Sequence, residues 1–358
     1  MTAIHIQGLG TYVPTKRITN VDLMSLVDTN DEWIVSRTGI KARHMLADDE
    51  NGSDAGTEAA LKALEDAGIA AEDITHVLTA TCTPDYLCPS TACIISGKIG
   101  SHGAMAFDLN AACTGFVYGL DVANSILAGK PGAKVLLVGS EAFTRRLNWE
   151  DRTTCILFGD GAGAVVLEWR DETEAGAGGA AGADAPGILS SYMENTDDVD
   201  RTLWCDSAFA SREVPFAADG TTAAAGTSTT DAPRLAAADA ESDPYMRMAG
   251  QAVFKFATSA MIRCTEEALT RAGLTTDDVT LFTPHQANER IIRYAAKKMG
   301  LPMERFQVII DHVGNVSGAS ALIALNETLC EGKLQPGDIA CMTAFGGGLT
   351  AGSCVIRI

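Results

Sequence analysis

One cysteine stands where a nucleophile would. Cys113 lies in Phe107-Asp108-Leu109-Asn110-Ala111-Ala112-Cys113-Thr114-Gly115-Phe116-Val117-Tyr118-Gly119-Leu120. The stretch reads as an apolar strand, a turn of small residues and an apolar-periodic helix. That places the thiol at a helix mouth, where unpaired backbone N–H groups and the helix dipole favour an anion. A thiol there should lose its proton more easily, and the thiolate is the reactive form. Two later segments offer partners: Pro284-His285-Gln286-Ala287-Asn288 and Gly314-Asn315-Val316-Ser317-Gly318. Each residue has a plainer role open to it. A cysteine in an Ala-rich turn is commonly a small core residue, a lone histidine is more often structural, and an asparagine after glycine is often a turn former.

The elements that must position these residues occur twice. Glu58-Ala-Ala-Leu-Lys-Ala-Leu-Glu-Asp-Ala-Gly68 is followed by Asp73-Ile74-Thr75 and an apolar strand to Thr83-Pro84. Glu266-Glu-Ala-Leu-Thr-Arg-Ala-Gly273 is followed by Asp278-Val279-Thr280 and a strand to Thr283-Pro284, an offset of 205 residues. Each reads as an amphipathic helix, a glycine stop, an acidic turn and a strand. Asp108…Gly115 and Asp311…Gly318 each read as strand–turn–helix at nearly the same offset. Short buried strands follow at Lys134–Gly139 and Asp338–Thr343. Glycine turns at Phe158-Gly-Asp-Gly-Ala-Gly163 and Phe345-Gly-Gly-Gly-Leu-Thr350 then lead into final Val/Ile strands. Four features in the same order predict an α/β fold built by duplication. Halves at 1–170 and 246–358 are expected, with an acidic, Ala/Gly-rich, insertion-bearing segment at 171–245. Cys113 falls in the first half and His285 and Asn315 in the second, so a shared site would form at the junction.

With 358 residues, 46% hydrophobic and 20% charged, the chain has material for a sizeable core. The net charge of −19 argues against general nucleic-acid binding. Residues 171–245 hold 15 Asp/Glu against 3 Arg, so most of the acidity belongs to that segment. None of the ten cysteines forms a C-x-x-C pair. A zinc or thioredoxin-like site is not expected, and so many free thiols point to a reducing cytoplasmic setting. Cys341 and Cys354 lie in strand-like runs and read as buried. No signal peptide or membrane-spanning run is seen. The tracts 171–185 and 217–240 read as mobile surface loops.

Taken together, the motifs resemble those of β-ketoacyl-acyl-carrier-protein synthase III, in the thiolase superfamily. The pieces are Asp31-Glu32-Trp33-Ile34-Val35-Ser36-Arg37-Thr38-Gly39-Ile40, Ala111-Ala112-Cys113-Thr114-Gly115-Phe116, Ile156-Leu157-Phe158-Gly159-Asp160-Gly161-Ala162-Gly163, Pro284-His285-Gln286-Ala287-Asn288, Gly314-Asn315-Val316-Ser317-Gly318 and Phe345-Gly346-Gly347-Gly348-Leu349-Thr350. They run in family order across nearly the whole chain apart from roughly 171–240. The resemblance implies a thiolase-like fold, with two α/β halves in a layered αβαβα arrangement.

It implies a reaction as well. An acyl-CoA acylates Cys113 through a tetrahedral oxyanion held by the amides of Cys113 and Gly347. Malonyl-acyl-carrier-protein then loses CO₂, and its enolate attacks the acyl-cysteine, with His285 Nε2 and the Asn315 amide as hydrogen-bond donors. An asparagine donates without titrating, which suits decarboxylation. No metal or organic cofactor is implied, since CO₂ release drives the condensation. The family positions matching Trp33, Arg37 and Arg152 hold coenzyme A, in keeping with base stacking on an indole and guanidinium forks on phosphate.

Arg290, Arg293, Lys297 and Lys298 fall on one predicted helix after His285. A basic stripe in an acidic chain points to an anionic partner, although a charge run is more commonly a solvated face. In the family, the positions matching Lys255, Arg290, Lys297 and Lys298 contact acyl carrier protein. Arg293 is outside that set. Cys88 stands where relatives often carry an aromatic residue that reaches across a dimer interface and limits the acyl pocket, so a roomier pocket is expected here. A cytoplasmic homodimer is implied. The rivals are a type III polyketide synthase, a hydroxymethylglutaryl-CoA synthase or a starter synthase of secondary metabolism. From other classes, a cysteine hydrolase also uses Cys, His and Asn. A catalytically silent binding protein is opposed by the intact Cys113, His285 and Asn315.

Overall fold

The computed structural model describes residues 2–171, 186–198, 200–205 and 244–358. The first half supplies strands β1 (Thr2–Tyr12), β2 (Lys16–Thr19), β3 (Ala42–Met45), β4 (His76–Ala80), β5 (Met105–Leu109), β6 (Lys134–Ala142) and β7 (Asp160–Asp171). After them come β8 (Gly187–Asn195), β9 (Leu203–Trp204), β10 (Arg247–Met248), β11 (Leu281–Pro284), β12 (Ile339–Gly346) and β13 (Thr350–Arg357). A five-stranded sheet has the order β1-β7-β6-β4-β5 and a four-stranded sheet the order β8-β13-β12-β11, while β2 pairs with β3 and β9 with β10 in two-stranded sheets. In each of the two larger sheets, a parallel pair adjoins antiparallel strands: β4 with β6, β11 with β12. The orders match position for position except at the end, where β5 has no full counterpart. A single parallel bridge from Phe306 to Phe282 stands in its place.

The helices are α1 (Asn20–Leu23), α2 (Asp31–Thr38), α3 (Gly52–Ala67), α4 (Thr91–Ile99), α5 (Gly115–Gly129), α6 (Gly250–Ala272), α7 (Glu289–Met299), α8 (Ile310–Val313) and α9 (Ser320–Cys330). The two repeated helices stop as their sequences predict. Gly68 ends α3 at φ 62° and Gly273 ends α6 at φ 71°, left-handed conformations that glycine adopts without a Cβ clash.

Strand alternation sorts the layers. In the first sheet Leu78 and Leu137 face α5 and α9, while Val77, Leu136 and Val138 face α3 and α4. In the second sheet Ala340, Met342 and Ile356 face α5 and α9, while Cys341 and Val355 face α6 and α7. The result is the expected stack of five layers, α3/α4, sheet, α5/α9, sheet, α6/α7. Cys341 and Cys354 are buried strand thiols, as read from sequence.

One expectation is corrected. Asp311…Gly318 does not begin with a strand, because Asp311 lies in the short helix α8. The turn and helix that follow do repeat the first half. Ala112 and Ser317, 205 residues apart, both take positive φ, at 47° and 43°, immediately before α5 and α9. From the acidic segment, β8 joins the second sheet against β13. Of the tracts expected to be loops, 172–185 and 217–240 lie outside the described residues. No helix among the described residues is long and apolar enough to cross a membrane.

Candidate active site

β5 ends at Leu109 and α5 begins at Gly115, so Cys113 sits on the elbow between them, 7% exposed. The expected acidity of this thiol is not found. Burial pushes Cys113 up to about 12, Glu141 adds to the rise, and a hydrogen bond from Ser317 Oγ at 3.4 Å only partly offsets it. Removing the charged form from water is the largest cause of the rise.

His285 follows β11, and its backbone N–H donates to Thr343 O on β12 at 2.7 Å. Its ring meets Phe345 edge-on at 5.3 Å. Burial alone pulls the imidazole down to about 3, so it is neutral at physiological pH. Its Nδ1 is buried and has no partner among the described residues. A proton there would be an orphan donor, so the N–H is better placed on Nε2.

Asn315 is pinned to the other half by two backbone bonds, Asn315 N–H to Leu157 O at 3.1 Å and Gly159 N–H to Asn315 O at 2.9 Å. Its side-chain oxygen accepts from Ser317 N–H at 2.9 Å. The amide oxygen is therefore engaged inside the turn, and the Nδ2 donor is the end left to act on a ligand.

The glycine run closes the hairpin of β12 and β13 over the elbow. Thr114 Oγ1 donates to Thr350 Oγ1 at 2.8 Å, and Thr350 Oγ1 donates to Gly347 O at 3.0 Å. A Cβ on Gly346 would fall 2.7 Å from the Cys113 nitrogen, so only glycine lets the turn approach the nucleophile this closely. At Gly347, whose amide the resemblance assigns to the oxyanion, a Cβ would meet Leu203 O at 2.9 Å.

Two cavities meet at the thiol. One of about 360 Å³ is lined by Cys113, His285, Asn315, Trp33, Arg37 and Arg152. At its mouth both guanidinium groups stack on the Trp33 indole, Arg152 at 4.8 Å and Arg37 at 5.9 Å. The second, of about 610 Å³, is lined by Cys113, Gly347, Cys82, Phe143, Phe158 and Met246, among others. Cys88 lines neither; it is exposed, beside Tyr86 and Leu87, which are 59% and 76% exposed.

Lys255 and the α7 cations surround a second aromatic feature. Phe254 and Tyr294 pack edge-on at 6.0 Å, with Arg290 over Phe254 and Lys298 over Tyr294. Arg293 is tied to Glu289 one turn earlier, whereas Lys255, Arg290, Lys297 and Lys298 form no ion pair among the described residues. Two side chains escaped the sequence reading. Ser317 lay inside a quoted motif without a role. Glu141 ends the buried strand β6 fully buried, and its signal was an acid closing an apolar run.

Comparisons with known proteins point to one family. A family model described as 3-oxoacyl-[acyl-carrier-protein (ACP)] synthase III matches residues 107–184, and the model of its C-terminal part matches 269–358. The chain is 44% identical to the beta-ketoacyl-[acyl-carrier-protein] synthase III of Nitratidesulfovibrio vulgaris (strain Miyazaki F), over 99% of this chain and 98% of the relative. It is 42% identical to that of Xanthomonas campestris pv. campestris (strain 8004), over 98% and 97%. Among solved structures, the 3-oxoacyl-[acyl-carrier-protein] synthase III of Aquifex aeolicus VF5 superposes with a TM-score of 0.83 at 38% identity, covering 99% of this chain and 100% of that one. The priming beta-ketosynthase of the R1128 polyketide pathway does so with a TM-score of 0.83 at 30% identity, over 99% and 96%.

Proposed function

This chain belongs to the β-ketoacyl-[acyl-carrier-protein] synthase III family, and from that premise we propose how it carries out the decarboxylative condensation that starts type II fatty-acid synthesis. Cys113 attacks the carbonyl of an acyl-CoA. The tetrahedral oxyanion takes hydrogen bonds from the amides of Cys113 and Gly347, CoA leaves, and the acyl group stays on sulfur. The pantetheine arm of malonyl-acyl-carrier-protein then enters the same cavity. CO₂ departs, negative charge builds on the thioester oxygen, and His285 Nε2 and Asn315 Nδ2 donate to it. A neutral imidazole and an amide supply these bonds without changing charge over the working pH range. The resulting carbanion attacks the acyl-cysteine to give 3-ketoacyl-acyl-carrier-protein.

One observation carries this reading: Cys113, His285 and Asn315 line a single cavity whose mouth holds Trp33, Arg37 and Arg152. The indole and two guanidinium groups suit the adenine and phosphates of coenzyme A. Lys255, Arg290, Lys297 and Lys298, free of ion pairs among the described residues, suit an acidic carrier protein. The second cavity takes the acyl chain. The exposed loop of Tyr86, Leu87 and Cys88 is read as the edge that a second copy covers in a cytoplasmic homodimer, with Cys88 reaching the partner's acyl cavity. The halves at 1–170 and 246–358 are read as copies of one ancestral unit.

The likeness to the R1128 priming synthase supports a second reading, a starter synthase of secondary metabolism. A product assay tests both. Acyl-CoA primers are offered with malonyl-acyl-carrier-protein. Formation of 3-ketoacyl product with short primers, and its loss in Cys113→Ala, supports the first. Free acid as the sole product contradicts condensation altogether.

A further inference from the structure

Cys113 must shed a proton before it attacks, and the groups assigned so far give that proton no destination. Asn315 does not titrate, and an imidazole drawn down to about 3 is a poor base. A line of hydrogen-bonding groups leads from the thiol to a buried acid. Cys113 Sγ lies 3.4 Å from Ser317 Oγ, Ser317 Oγ lies 3.7 Å from Cys82 Sγ, and Cys82 Sγ lies 3.2 Å from Glu141 Oε1. Hydroxyl and thiol can each accept one proton while giving up another.

Glu141 is fully buried on β6. It accepts from Thr83 Oγ1 at 2.6 Å, from Thr81 Oγ1 at 3.4 Å and from Cys82 N–H at 3.3 Å. Among the described residues no lysine, arginine or histidine pairs with it, and the titratable groups facing it are Cys82 and Cys113. Burial raises its carboxyl above the ordinary range, which makes it a readier proton acceptor. A lone buried carboxylate is expensive to keep, and the mechanism above gives it no task.

We propose that Glu141 is the proton acceptor for Cys113, working through Ser317 and Cys82, so that Ser317 touches the reacting sulfur and Glu141 and Cys82 act through it. The Ser317 hydroxyl, which donates to Cys113 Sγ in this structure, first turns toward Cys82 Sγ; as the Cys113 S–H bond breaks, Ser317 Oγ takes that proton and passes its own to Cys82 Sγ. Cys82 passes its own in turn to Glu141 Oε1. One negative charge moves from carboxylate to sulfur, and none is created in the buried site. The S–C bond forms, the bond to the CoA sulfur breaks, and the departing CoA thiolate is protonated by solvent. When condensation expels Cys113 as thiolate, Glu141 returns the stored proton along the same line. The inference rests on Cys113 being the attacking group of the proposed reaction.

The test compares wild type with Glu141→Gln, Cys82→Ala and Cys82→Ser. The pH dependence of Cys113 alkylation by iodoacetamide is read from the mass of the tryptic peptide 99–134, whose sole cysteine is Cys113. Single-turnover acylation by acyl-CoA and condensation from already acylated enzyme are measured beside it. Glu141→Gln is expected to slow alkylation and acylation at pH 7 about 100-fold, to move the alkylation profile to higher pH, and to leave condensation from acylated enzyme within about threefold. Cys82→Ala should show a comparable loss, and Cys82→Ser, which keeps a proton-passing group, should recover most of it. If Glu141 were only a neighbouring negative charge, Glu141→Gln would move the profile to lower pH and speed alkylation, which overturns the proposal. Equal rates for Cys82→Ala and Cys82→Ser overturn it too. Alkylation that shifts as expected in an enzyme that acyl-CoA never acylates would sink the functional reading and leave the proton line standing.

Discussion

Replacing Asn315 by aspartate separates the two half-reactions. Asn315 is 4% exposed, and its Oδ1 is committed to Ser317 N–H at 2.9 Å. Aspartate keeps that acceptor and the shape of the turn but turns the Nδ2 donor into a second acceptor. Losing one preorganised donor to a developing oxyanion costs about 2.7–4 kcal/mol, a factor of roughly 10²–10³. An aspartate that ionises would also repel the enolate, so condensation should fall by at least about 10³. Acylation of Cys113 makes no use of this donor and should stay within about tenfold of wild type. Asn315→Ala loses the donor as well and leaves Ser317 N–H unpaired in a buried site, which lowers stability by a further ~1–3 kcal/mol. The assay is rapid-quench release of CoA for the first half-reaction and 3-ketoacyl formation from acylated enzyme for the second. An Asn315→Asp variant that condenses within tenfold of wild type would refute the assignment of Nδ2 to the enolate. Equal losses in both half-reactions would refute the claim that the turn survives.

Gly346→Ala should damage both half-reactions together, because the new Cβ would sit 2.7 Å from the Cys113 nitrogen and push the elbow aside. A loss of about 10²-fold in CoA release, with a drop in stability of about 1–3 kcal/mol seen by denaturant melts, is the expected result. Charge reversal at Arg290, Lys297 and Lys298 should raise KM for malonyl-acyl-carrier-protein at least about tenfold and flatten its salt dependence, while KM for acyl-CoA holds. His312 gives a pH prediction away from the site. Hydrogen bonds to Glu327 and Asp311, both 2.8 Å, raise it from 6.5 to about 9. A raised cationic group adds stability that is complete below pH 6.5 and is lost as pH climbs through 9. With the ring half-exposed, that contribution is about 1 kcal/mol. His312→Gln should therefore be less stable than wild type in denaturant melts at pH 6, and the gap should close by pH 10.

The repeat was legible because its signals are local: a glycine stop, an acidic turn and a buried strand, twice in order. Two like sheets and a shared middle layer follow once each copy must bury both faces. The missing partner of β5 was not legible, since the residues around Phe306 read no less like a strand than those of β5, and only packing reduced them to one bridge. Cys113, His285 and Asn315 could be named because short motifs carry them. The acidity of Cys113 could not be read off, because the helix mouth is visible in sequence and burial is not. Glu141 was hidden for a similar reason. An acid at a strand end gives no hint that it lies near a thiol from the preceding crossover and a serine 176 residues on. Cys88 lines neither of the two cavities that meet at Cys113, so its expected role depends on contacts that a single copy does not contain.

In the proposed reaction Cys113 carries the acyl group. Incubation with an acyl-CoA, tryptic digestion and mass measurement of peptide 99–134 reads it directly, since that peptide holds no other cysteine. One acyl increment is expected on this peptide, discharged on addition of malonyl-acyl-carrier-protein with 3-ketoacyl product formed in equal amount. An unmodified peptide in an enzyme that nevertheless condenses, or an acyl group found on another of the ten cysteines, would contradict it.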